Sequence, residues 1–192
     1  PADATHLVVS AGGNDALHRE AVFGESARGV GEALGLDDQA DDLVSDLEGQ
    51  LADAVEANSV LSGKTFIYGD VSQSLGFYGP ADGRPRFFTE LGFKINPAYA
   101  GITKDKFYGE VSKENADQIN SDVLVWDQLS YSPKQSKASV TEDPIVGKLP
   151  AVKDGHSVYL EGDLEKAFGW QTVLSLNYLL DKIEQPLADA TK

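Results

Sequence analysis

Apolar residues recur along this chain in two registers. Between Leu17 and Leu34, the residues Phe23, Ala27, Val30 and Leu34 fall three or four positions apart, which places them on one stripe of a helix. Gly35 supplies a stop. Asp37 and Asp38 are placed to cap a second helix, where Ala40, Leu43, Val44, Leu47, Leu51, Ala54 and Val55 form the cleanest helical stripe in the chain. Its opposite face is nearly all acid, and it is predicted to end near Asn58. Lys64 to Tyr68 then reads as a short buried strand whose carboxyl end opens at Gly69 and Asp70. From Val71 to Pro97, strand-like and turn-like pieces alternate: Leu75 to Tyr78, a turn at Gly79 and Pro80, then a short helix from about Pro85 to Leu91.

Further on, Phe107 to Val111 predicts an extended piece, Lys113 to Ile119 a helix and Asp122 to Trp126 a strand, after which a polar connection runs to a last strand at Ser157 to Leu160. Thr172 to Ile183, with Val173, Leu176, Leu180 and Ile183 in register, predicts a closing helix that stops before Pro186. Strands separated by helices define an α/β class: a three-layer α/β/α, Rossmann-like lobe with a mostly parallel central sheet. Ligands bind such sheets outside the carboxyl ends of the strands. The loops after Tyr68, Tyr78, Trp126 and Leu160 are therefore the places to look for a site.

The 192 residues suit one core, and a hydrophobic share of 41% with 24% charged residues is that of a globular chain. No apolar run approaches the roughly 20 residues that span a bilayer as a helix. Cysteine is absent, which removes disulfides and thiolate chemistry. A net charge of -15 argues against a nucleic-acid partner, because phosphate binding needs clustered Lys and Arg. The charge is uneven: residues 1 to 61 carry 13 acidic and 2 basic side chains. The chain starts at Pro1 without an initiator methionine or a leader pattern, and is expected to be cut from something longer.

Sites of known chemistry are thin. Gly29, Gly31 and Gly35 have the spacing of a dinucleotide loop, but they lie in and just past a helical stripe and not between a strand and a helix, so they are read as packing and a stop. His6, His18 and His156 are scattered, and none has a second His at the helical spacing that presets a metal site. Glu161 with Asp163, and Glu142 with Asp143, are read as solvated charge. More informative are the aromatics and arginines at loop positions: Phe77, Tyr78, Arg84, Arg86, Trp126, Tyr131 and Trp170. Flat apolar walls with guanidinium groups suit a large, partly aromatic, anionic ligand.

Several segments in order resemble the class III solute-binding proteins of ABC transporters, which serve iron-siderophore, haem and cobalamin uptake. They are Gly29-Val-Gly-Glu-Ala-Leu-Gly35 running on to Ala40, Lys64-Thr-Phe-Ile-Tyr68, Phe88-Thr-Glu-Leu-Gly92, Asn120 to Trp126, Asp143 to Gly155, Val158-Tyr159, and the closing helix from Thr172. The resemblance implies that residues 1–36 hold a remnant of an entry segment and the interlobe connecting helix, with 37–192 forming the carboxy-terminal lobe. It implies a monomer whose amino-terminal lobe is missing from this chain, and a ligand held in the cleft between lobes. It implies no enzymatic activity and no resident cofactor, with a ferric siderophore as ligand, an ABC-transporter permease as partner and no nucleic acid. Localisation is implied to be extracytoplasmic, periplasmic or as a cell-surface lipoprotein. Phe77, Tyr78, Arg84, Arg86, Trp126, Tyr131 and Trp170 become the ligand-binding candidates, and Asp82 and Glu90 the permease-docking ones. Alternatives within the resemblance are haem, for which Tyr78 or Tyr131 would be the axial ligand, and cobalamin; outside it stands a protein-interaction domain.

Overall fold

The computed structural model describes residues 22–80, 82–103, 106–130 and 135–192. Two helices open it, α1 (Val22–Leu34) and α2 (Asp37–Ala57). They turn back on each other at Gly35, whose φ of 68° a residue with a Cβ rarely adopts. A side chain at Gly31 would run into Ala40 of α2, so that glycine sets how closely the two helices approach. The five positions expected to begin the first helix, Leu17 to Ala21, lie outside the described residues, as do His6 and His18.

Next come β1 (Thr65–Val71), β2 (Leu75–Tyr78), α3 (Gly83–Glu90), β3 (Lys94–Ile95), α4 (Pro97–Thr103) and β4 (Tyr108–Val111). A 3-10 helix at Lys113–Ile119 leads to β5 (Val123–Trp126), α5 (Lys137–Thr141), α6 (Pro150–Lys153), β6 (Ser157–Tyr159), α7 (Asp163–Trp170) and α8 (Val173–Ala190). The sheet runs β4-β2-β1-β5-β6, and β3 also pairs with β1. Its parallel part joins β1, β3, β5 and β6, whereas β2 and β4 form an antiparallel wing. Phe66 pairs with both Ile95 and Val123, so β3 and β5 occupy opposite edges of β1.

Alternation along the strands sorts side chains onto two faces. Phe66, Tyr68, Val123, Val125 and Val158 pack against α3, α7, α8 and Leu47 of α2. Ile67, Leu124 and Trp126 face the other way, onto Ala116 and Ile119 of the 3-10 helix, Val140 of α5 and Ala151 and Val152 of α6. This is the three-layer, mostly parallel arrangement the periodicity predicts.

Four local expectations are corrected. β1 runs on to Val71 because its second half pairs with β2 in a hairpin, so Gly69 and Asp70 are strand residues and not a loop. α3 starts two residues earlier than expected, because Asp82 caps it by accepting the backbone N–H of Arg84 at 2.8 Å. Arg84 and Arg86 are thus helical. α8 continues through Pro186, which lacks the N–H for one helical bond; the burial of Leu187 and Ala190 beyond it holds the last turns. The polar connection after β5 contains α5 and α6, and α7 follows β6; these helices are too short to show a stripe.

Candidate functional site

The carboxyl ends of β2 and β5, on either side of Tyr68 and Gly69 in β1, converge with the first turn of α3 on one guanidinium. Arg84 makes a two-point contact with Asp82, from Nε to Oδ1 at 2.9 Å and from Nη2 to Oδ2 at 2.7 Å. Its Nη1 lies 3.6 Å from Asp127 Oδ2, just past the end of β5. The guanidinium carbon lies over the Tyr78 ring, 3.5 Å from its centroid, a cation–π arrangement. Rings of Tyr68, Phe107 and Tyr108 surround Tyr78 at 5.2 to 6.0 Å. Tyr108 donates to Asp70 Oδ2 at 3.1 Å. It reaches that acid across Gly76, where any side chain would collide with the Tyr108 hydroxyl.

Three buried aspartates therefore surround one arginine: Asp70, Asp82 and Asp127 are each 5% exposed or less. Burial pushes Asp70 and Asp127 above the usual carboxylate range. Burial likewise raises the hydroxyls of Tyr68, Tyr78 and Tyr108, keeping all three neutral. For Arg84 burial works downward, but the bonds and charge of Asp82 outweigh it and hold the guanidinium charged. The Tyr68 hydroxyl is fully buried and falls outside hydrogen-bond geometry, with Asp127 the carboxylate acting on it most strongly.

A raised carboxylate binds more protons folded than unfolded, so its contribution to stability is fully present below the unfolded value and lost as pH rises through the folded one. Around Asp127 stand Tyr68, Arg84, Glu165 and the Gln128 backbone. Replacing Asp127 with asparagine is expected to help the fold more at pH 7 than at pH 4, as followed by thermal melts across that range. A constant gap between variant and parent would show that Asp127 titrates normally.

The candidates read from sequence separate here. Tyr78 and Arg84 are at the centre. Phe77 and Trp126 are 0 and 1% exposed and belong to the core face behind the sheet, where Trp126 Nε1 donates to Ser157 at 3.4 Å. Arg86 lies on α3 with Nε 3.6 Å from Glu90. Trp170, at the end of α7, is 79% exposed, with Leu174 at 72% beside it in sequence terms on α8. Its neighbour Gln171 packs its amide against Gly83, next to Asp82, which ties the α7 end to the start of α3. Tyr131 lies outside the described residues. Asp82 is buried against Arg84, so the acid that α3 presents to solvent is Glu90.

Asp127 and Gln128, which the sequence reading passed over, complete the cluster. No spacing marks them; their only signal is position after the apolar strand Val123–Trp126. Of the carboxylate pairs read as solvated charge, Glu142, Glu161 and Asp163 are exposed, and Asp143 is half-buried among structural partners. Asp143 holds Lys113 at 2.8 Å and accepts the backbone N–H groups of Ile145 and Val146 at 2.9 Å, while Asp163 pairs with Lys166 and Glu161 accepts the Lys137 N–H. A groove of about 670 Å³, lined by Glu114, Asp117, Asn120, Ile145 and Lys148, lies on the elements leading into β5 and β6, away from the carboxyl ends of the strands. Among the described residues, no grouping of His, Cys, Asp and Glu is arranged to hold a metal ion, and no helix is long and apolar enough to cross a membrane.

Buried neutral phenols under one fixed guanidinium, with an exposed indole at the end of the neighbouring α7, lie where sheets of this kind hold ligands. The family model described as periplasmic binding protein matches residues 8–164, and the chain belongs to that family. It is a family of extracytoplasmic binding proteins and not of enzymes. Similar solved structures include the PiaA iron-uptake ABC transporter substrate-binding protein of Streptococcus pneumoniae in complex with ferrichrome (23% identity, TM-score 0.70, covering 88% of this chain and 58% of that one). Others are FhuD2 of Staphylococcus aureus with bound ferrioxamine B (21% identity, TM-score 0.69, 88% and 66%) and the petrobactin-binding protein YclQ of Bacillus subtilis (20% identity, TM-score 0.66, 86% and 58%). These likenesses establish the fold, and the chain spans 58 to 66% of the length of these structures. No curated protein matches the sequence.

Proposed function

We propose that this chain forms part of the substrate-binding component of an ABC importer, in which residues 37–192 are the carboxy-terminal lobe and the chain up to residue 36 connects it to an amino-terminal lobe. The ligand is a ferric siderophore held between the lobes, and Glu90 is a docking acid for the permease. The observation that carries this reading is the Arg84–Tyr78 stack at the strand ends, with Trp170 exposed beside the segment that abuts α3. Relatives of the same fold whose names record ferrichrome, ferrioxamine B and petrobactin support it.

The charge balance narrows the ligand. Arg84 is matched by Asp82 and Asp127, and Arg86 by Glu90, so neither guanidinium is free to capture an anion without losing a partner. A neutral or cationic ferric chelate therefore fits this surface better than the anionic one that the arginines alone suggest. Haem through Tyr78 fits poorly, because burial raises its hydroxyl and Gln128 donates to it.

The chain has two tryptophans, of which Trp126 is buried and Trp170 exposed. Titrating ferric trihydroxamates of zero and positive charge into the intact protein is expected to quench Trp170 fluorescence, with a trianionic ferric catecholate binding at least tenfold more weakly. Tighter binding of the catecholate would reverse the charge assignment. No quench with any chelate, with haem and cobalamin also negative, would leave a protein-interaction role.

A further inference from the structure

Among the described residues, two that are not glycine have positive φ, Gln128 at 57° and Gln171 at 46°. A residue with a Cβ is strained there, and such strain persists only where surrounding contacts hold it. Gln171 packs against Gly83 at the start of α3, whereas Gln128 touches the stack itself, its Nε2 donating to the Tyr78 hydroxyl. Gln128 also follows Asp127, which faces Arg84 Nη1. One dipeptide at the end of β5 thus touches both halves of the stack, Asp127 the guanidinium and Gln128 the phenol beneath it. The left-handed turn at 128 accompanies the contact by which its amide reaches back to β2.

We propose that Gln128 is a positioning residue for the ligand. It fixes the Tyr78 ring under Arg84, so that guanidinium and phenol meet the ligand as one preformed surface. The proposal rests on the reading that the ligand docks at this patch. The competing account is that the backbone at 128 is loop geometry and the bond to Tyr78 is incidental. Preformed contacts raise affinity by removing the ordering that would otherwise accompany binding, so the two accounts separate in a variant that relaxes the turn but drops the bond.

Gln128→Gly is that variant, since glycine adopts positive φ freely; Gln128→Asn tolerates the same conformation but is one methylene shorter. Two readouts are made on the intact protein. In the ligand-free state, the Arg84 Nε–H resonance reports the Tyr78 ring current, in a chain with only four arginines. Affinity for a ferric trihydroxamate is then read from Trp170 quenching. Both variants are expected to fold, the glycine form melting at or above the parent, with the Arg84 signal losing its ring shift and affinity falling about tenfold. An unmoved Arg84 signal in both variants overturns the positioning role. A moved signal with affinity within twofold of the parent overturns its importance for ligand. A parent that binds no chelate overturns the function proposed above, and the Arg84 signal still decides whether Gln128 positions the stack. If the glycine variant melts below the parent, the asparagine variant gives the decision.

Discussion

Replacing Asp82 with alanine is expected to destabilise the fold by about 3 to 4 kcal/mol. The carboxylate has two functions at once. It caps α3 through the Arg84 N–H, worth about 1 kcal/mol, and it holds the guanidinium at two points, where each charge-assisted bond is worth about 1.5 to 3 kcal/mol before the remaining partner compensates. Arg84 is 18% exposed at its side chain, so it recovers part of the loss by turning toward water and toward Asp127. Urea unfolding of Asp82→Ala, Arg84→Met and the double variant measures the coupling. The double variant should be less destabilised than the two single changes predict together. Strict additivity would mean that the two side chains are held independently and that the site is not a unit.

The second large effect is expected behind the site. Phe88 is 0% exposed and sits among Phe66, Tyr68, Phe87, Phe93 and Phe168, stacked on the last with an interplanar angle of 5°. Truncating it to alanine leaves a cavity between α3, β1 and α7, and costs about 3 to 5 kcal/mol. The same ring links α3 to the sheet, so Phe88→Ala should also loosen the Arg84 end and weaken ligand binding in whatever fraction remains folded. Phe88→Leu, which refills part of the space, is expected to recover more than half of the stability. A loss under about 1.5 kcal/mol for the alanine variant in chemical denaturation would show that the cluster collapses around the gap.

Both effects depend on α3, and the sequence disclosed that helix only in part. Phe88-Thr-Glu-Leu-Gly92 gave its end, because Gly92 takes a φ of 97° that marks a stop. Its start was obscured, since Asp82 reads equally as a surface acid and as a cap until its partner is known. The layers were legible, because β1 and β5 hold continuous apolar runs, as strands covered on both faces do, and α2 and α8 carry long stripes. The antiparallel wing was not, as Gly69 reads as the opening of a loop although close strand approach is what requires glycine there: a side chain at Gly69 would run into Phe77. At the site, Tyr78 and Arg84 were visible as an aromatic and a base at and just after a strand end, but Phe77 and Trp126 looked the same and lie on the far face of the sheet. The face of the sheet separates them, Tyr78 on the side of α3 and the other two on the opposite side, and the face depends on pairings such as Gly69 with Phe77 and Tyr68 with Val125 that join distant parts of the chain. Gln128 carried no signal, because nothing in its neighbours demands a left-handed turn.

One consequence of the sheet order concerns time rather than geometry. β1 carries Tyr68 and Asp70 and has strands along both edges, β5 on one side and β3 and β2 sharing the other. Its amides are enclosed by partners on both sides, and such segments open only with the whole molecule, over the longest interval of any motion the chain undergoes. The arrival and departure of a ligand must be far quicker than that. The floor of the site therefore stays still through many rounds of capture and release.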